Sequence, residues 1–158
     1  MEQRHEAAIA APLKMHSLIL LAGGALTLVP FMELSMGWLL VQVFGVKLGW
    51  GITLAYYTFV TGQLLIFLPL LTIPLCSLWV YYRGGDIRAG RRFLGRGFLR
   101  YFPALFGLGL QMYIVGIHGI YVAPAIFGSL LVGYAIWLLR RDRAAIDAVI
   151  GEEKPHEA

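Results

Sequence analysis

Residues 82–101 read YRGGDIRAGRRFLGRGFLRY and carry six arginines, Arg83, Arg88, Arg91, Arg92, Arg96 and Arg100, against one acid, Asp86. Long apolar runs lie on both sides of this stretch. Short basic segments between apolar runs stay on the cytoplasmic face of a membrane, so this one sets the orientation expected for the rest of the chain. At 100° per residue, Ile87, Leu94, Phe98 and Tyr101 share one helical face, and Arg88, Arg92, Arg96 and Arg100 the opposite one. That sidedness predicts a basic, amphipathic cytoplasmic loop over residues 83–101. Arg88, Arg91, Arg92, Arg96 and Arg100 would then meet anionic lipid headgroups or a partner protein. Gly90, Gly95 and Gly97 weaken a helix there.

Composition supports a membrane setting. Of the 158 residues, 59% are hydrophobic and 14% are charged, whereas soluble domains carry about 25% charged residues. A chain this apolar cannot cover itself with polar surface in water. The net charge of +4 sits beside apolar spans, so headgroups and topology account for it and nucleic acid does not. Cys76 is the single cysteine, which excludes an intrachain disulfide, and its apolar setting suits packing.

Taken in order, residues 1–16 are polar, with Pro12 as a breaker, and read as a short cytoplasmic tail or surface helix. Residues 17–32 form the first span, about 24 Å if helical, with Gly23 and Gly24 allowing a neighbour close and Pro30 near its end. Residues 33–51 contain Trp38, Lys47 and Trp50 as interface anchors and Gly45, Gly49 and Gly51 as poor helix formers. They are read as an outer interfacial or re-entrant segment in preference to a helical extension. Residues 52–82 make a long second span with Pro69 and Pro74 inside it, and aromatic belts at Tyr56–Tyr57 and at Trp79, Tyr81 and Tyr82.

Residues 102–139 are apolar throughout and basic at both flanks. One helix of that length would measure about 57 Å, so the chain is expected to cross and return as spans over about 102–118 and 123–139. The turn falls near residues 119–124, with Pro124 in the first turn of the returning helix. Gly107, Gly109, Gly116 and Gly119 on the third span and Gly128, Ser129 and Gly133 on the fourth are expected to let these two spans pack on each other, which makes Gly116 a close-contact position. Residues 140–158 read as a cytoplasmic tail, helical as far as Gly151. With both termini inside, every Lys and Arg of the thirteen except Lys47 lies on the cytoplasmic side.

Ionisable groups within apolar runs mark functional sites in membranes. Glu33 ends the first span and His118 the third, and Gln63 and Gln111 lie on neighbouring spans. Together they form a candidate intramembrane polar site. A bis-histidine haem is disfavoured, because His16 and His118 belong at opposite faces. Ser17, Ser35, Ser77 and Ser129 stand in no hydrolase motif, and Asp142 and Asp147 read as surface ion pairs among arginines.

The expected fold is therefore all-α, with four transmembrane helices as two hairpins joined by the basic loop, in a bacterial-type inner membrane. The expected role is non-enzymatic, an accessory or assembly subunit touching lipid, other membrane subunits or itself. No catalytic or metal residue and no cofactor is expected. A small oligomeric transporter or channel using Glu33 and His118, and a quinone- or haem-associated redox anchor, are the alternatives.

Overall fold

Four α-helices make up the described part of the chain: α1 (Glu2–Phe44), α2 (Gly51–Gly84), α3 (Ile87–His118) and α4 (Ala123–Glu152). The computed structural model describes residues 2–44, 51–84, 87–119 and 122–152, with side chains described for 9–31, 56–83, 87–119 and 122–143. Each helix contains a stretch long and apolar enough to cross a membrane: Ile9–Phe31, Tyr56–Arg83, Ile87–His118 and Ala123–Arg143. The architecture fits a multi-pass membrane protein.

Contacts alternate in direction along the chain. His16 meets Thr72, and Thr27 meets Gln63, so α1 and α2 run antiparallel. Ser77 meets Gly90 and Gln63 meets Gln111 across α2 and α3. Ser17 reaches Asp142 across α1 and α4. α1 packs most extensively, against α2 and α4, while α3 leans mainly on α2. One end of the bundle thus gathers the N-terminal half of α1, the end of α2, the arginine-bearing start of α3 and the Arg140–Arg143 region of α4.

The interior is narrow and lined by Leu20, Ile66, Ile73, Phe93, Tyr101, Leu108, Leu131 and Leu138. Outward faces carry large apolar side chains: Leu71 is 69% exposed, Phe102 64% and Leu130 69%. Soluble monomers rarely show contiguous apolar patches beyond a few hundred Å², whereas lipid is a matched solvent for this surface.

Small residues set the closest crossings, which are those of α1 with α2 and with α4. A Cβ on Gly62 would lie 2.8 Å from the Thr27 nitrogen and 2.9 Å from the Gly23 oxygen, both backbone atoms. A Cβ on Gly24 would lie 3.3 Å from the Gly128 oxygen. The expected seam between the third and fourth spans is different. Gly107 faces the Phe127 ring, but nothing lies within 4 Å of a Cβ on Gly109, Gly116 or Gly133. Gly116 is exposed, so the close packing expected there is absent.

Three segments differ from expectation. The stretch 83–101 is not a separate loop: from Ile87 onward it is the first half of α3, continuous with the third span. Residues 33–44 extend α1 as helix instead of turning back at an interface, and 45–50 lie outside the described residues. The helix before residue 17 is continuous with the first span and has Ile9 and Leu13 buried, so it is not a surface helix and Pro12 does not break α1. Burial explains the first and the third of these outcomes. Helix propensity is a weak prior that packing overrides, and Gly90 and Gly97, which penalise an isolated helix, let α3 close on Ser77 and Ile73 of α2.

The end of α3 follows local chemistry. Gly119 adopts φ +64° and donates its N–H to the Val115 carbonyl at 3.1 Å, a left-handed cap that glycine adopts without a Cβ clash. The Val122 carbonyl then accepts from Ala125 and Ile126 at the start of α4.

Candidate functional site

The facing of α3 explains how its arginines are used. Its buried positions are Ala89, Gly90, Phe93, Gly97, Tyr101, Ala104, Leu108 and Gln111. Of the apolar residues that share a face in the sequence, Tyr101 is buried, and Ile87 and Phe98 are exposed. Residues four apart on a helix rotate by about 40°. The series Arg88, Arg92, Arg96, Arg100 therefore winds from the outer surface towards the buried face. Arg100 arrives at its edge.

There it meets α4. Arg100 Nη1 lies 2.6 Å from Asp142 Oδ1, and Asp142 is only 6% exposed. The Ser17 hydroxyl, whose single proton also has the Leu13 carbonyl at 3.1 Å, reaches Asp142 Oδ2 at 3.5 Å, a long contact that brings α1 to the same carboxylate. The Tyr134 hydroxyl donates to the Arg100 carbonyl at 2.8 Å, and the Tyr101 hydroxyl to the Ile66 carbonyl at 2.6 Å. Asp142 was expected as a surface ion pair. It pairs with arginine, but in the interior and with a different helix. The side chain of Asp147 lies outside the described residues.

His16 belongs to the same layer. Its Nδ1 is 2.6 Å from the Pro12 carbonyl and its Nε2 2.9 Å from Thr72 Oγ1. A carbonyl only accepts, so Nδ1 carries a proton, and Nε2 of a neutral ring accepts the Thr72 hydroxyl. That hydroxyl has a second acceptor, the Leu68 carbonyl at 3.2 Å. Its single proton serves one of the two at a time. The ring also packs at 5.9 Å from Phe93. A small cavity of about 10 Å³ lies between His16, Ser17, Pro69, Ile73, Gly97 and Tyr101, no more than one water's worth of space.

Above this layer is a second polar group. Gln111 Nε2 donates to Gln63 Oε1 at 2.5 Å, Gln63 Nε2 donates to Thr27 Oγ1 at 3.1 Å, and Thr27 donates to the Gly23 carbonyl at 2.8 Å. Three helices are joined in one chain of bonds. The Gln111 carbonyl oxygen is buried without a hydrogen-bond partner. The two glutamines of the expected intramembrane site are thus together, and His118 is apart from them. It is exposed at the end of α3, edge-on to the Tyr113 ring at 6.0 Å. Glu33 lies in α1, with its side chain outside the described residues.

On the outside of the arginine-rich end, Arg96, Arg100, Arg141 and Asp142 border a cleft of about 280 Å³ with Ile9, Ala10, Leu13 and Leu99. Arg141 also lies over the Trp137 ring at 5.6 Å, and Arg83 over Trp79 at 5.0 Å. No group of three or more His, Cys, Asp or Glu side chains able to hold a metal ion occurs among the described residues.

Sequence reasoning missed Ser17, Thr27, Thr72, Tyr101 and Tyr134 as members of these layers. Thr27 gave a readable signal, standing among Gly23, Gly24 and Pro30 in an apolar run. The tyrosines gave none, because their spacing equals that of ordinary core aromatics. Comparison with protein-family models, with curated proteins and with solved structures found no match to this chain.

Proposed function

We propose that the chain is a small, non-enzymatic accessory or assembly subunit of a larger membrane complex. The observation that carries this reading is the use made of interior polar groups. Asp142, Ser17, Gln63, Thr27 and His16 all bond to neighbouring helices or to their own turn, and so hold the bundle together. In lipid, packing of small residues and interhelical hydrogen bonds are the main attractions between helices. What the bundle offers outward is an apolar belt and a face of exposed arginines, among them Arg88, Arg91, Arg92 and Arg96. Those are the surfaces of a docking subunit.

In this reading the four spans form two helical hairpins in a bacterial-type inner membrane, with both termini in the cytoplasm. The contacts Arg100–Asp142 and His16–Thr72 support it by gathering the basic flanks of all four spans at one end. α3 measures about 48 Å, against about 30 Å of hydrocarbon. Its arginine-bearing half therefore extends into the headgroup layer and beyond it.

The test is purification of the tagged full chain in mild detergent, followed by identification of co-purifying membrane proteins. A stoichiometric protein partner is the expected result. Recovery of the chain alone, together with ion or solute flux in reconstituted liposomes, would replace this reading with a transporter.

A further inference from the structure

We propose that the cleft between α1, α3 and α4 is a binding site for one anionic phospholipid, its phosphate held by Arg96, Arg100 and Arg141 and its acyl chain lying along Leu99. This rests on the membrane reading above and assigns a defined site where that reading has only a basic face.

Charge and shape both point to a lipid. Arg96 and Arg100 are four residues apart on α3 and so share a face, and Arg141 approaches from α4 across the cleft. Guanidinium groups present planar, forked donors that match phosphate oxygens. Asp142 is the acid among the described residues that line the cleft, and three arginines outnumber it. Asp142 places one oxygen on Arg100, so it balances one of the three arginines that line the cleft and not the lining as a whole. Asp142 also fixes Arg100 through Nη1, and a guanidinium has five N–H donors, so others remain for phosphate.

The rest of the cleft is apolar. Ile9 and Leu13 are buried at its floor, and Leu99, on the rim, is 77% exposed. A free phosphate would gain nothing from those side chains, whereas a lipid gains their contact. Trp137, 53% exposed beside Arg141, is a residue type enriched at the headgroup level. In the proposed membrane orientation this sets the cleft at the level of the phospholipid phosphates.

The experiment is native mass spectrometry of the full chain released from phosphatidylcholine nanodiscs, titrated with phosphatidylglycerol. One retained phosphatidylglycerol per chain is expected. R96Q and R141Q alter rim residues and should each weaken retention about tenfold or more, read at a temperature where each variant remains folded. R91Q, on an exposed arginine of α3 outside the cleft, should retain lipid as the wild type does. Equal loss in R91Q would make the effect diffuse charge and overturn the site. Full retention in R96Q and R141Q would overturn it too, and displacement by millimolar inorganic phosphate would overturn the lipid assignment. A chain that enters nanodiscs and retains no phosphatidylglycerol defeats the site alone. A chain that does not enter them defeats the membrane reading.

Discussion

Arg100 of α3 and Asp142 of α4 are joined at 2.6 Å with the carboxylate almost wholly enclosed, which ties the basic start of the third span to the basic end of the fourth. Removing one member leaves the other charge in a poorly solvated place, a loss of about 3 kcal/mol for such pairs. D142A is therefore expected to lower unfolding free energy in detergent by roughly that amount. The double variant R100A/D142A should lose clearly less than the two single variants added together. Simple additivity in this cycle would mean that the pair contributes no coupling.

The glycines make a sharper contrast. G62A would place a Cβ against two backbone atoms of α1, neither of which can rotate away, so it should destabilise by about 1–3 kcal/mol. G116A meets nothing within 4 Å and gains helix propensity of up to about 1 kcal/mol. Thermal unfolding of both variants, compared with wild type, should shift in opposite directions. Equal shifts would argue against the α1–α2 crossing described above.

Those two glycines also show how far the sequence was legible. Four spans, a break near residue 119 and close approach at Gly23 and Gly24 follow from hydropathy and small residues, which report local cost directly. The partner of each glycine does not, because a small residue looks the same whether it faces a helix or lipid. The placement of Gly116 at a packed seam failed for that reason. The α3 stretch failed differently: its three glycines count against an isolated helix, and only the contacts of Gly90 and Gly97 with α2 turn them into packing positions. In the candidate site, the Gln63–Gln111 pairing was within reach because two amides on adjacent spans have few other partners in lipid. Asp142 was not, since nothing in its neighbours marks it as turned inward.

The glutamine chain allows a graded test. Q63L removes the acceptor for Gln111 and the donor for Thr27, two bonds at once. Q111L removes one bond, and with it a buried carbonyl oxygen that has no partner. Interhelical hydrogen bonds in membranes average about 0.6 kcal/mol, while a buried polar group left unpaired costs about 1–3 kcal/mol. Q63L is therefore expected to be the more destabilising of the two, and Q111L to cost about 1 kcal/mol or less. Reversal of that order in chemical unfolding would assign the Gln111 carbonyl a partner.

Topology gives the last prediction. Arg91 and His118 lie near opposite ends of α3, and both are exposed. In the proposed orientation they face opposite compartments: Arg91 lies in the basic half that should remain cytoplasmic, and His118 at the outer end. Cys76 is the one natural cysteine, so a C76S background accepts single reporters without interference. An impermeant maleimide applied to intact cells should label H118C and leave R91C unlabelled, and lysis should expose R91C. Labelling of R91C in intact cells, with H118C reached only after lysis, would invert the whole molecule. Labelling of both in intact cells would mean that α3 does not span.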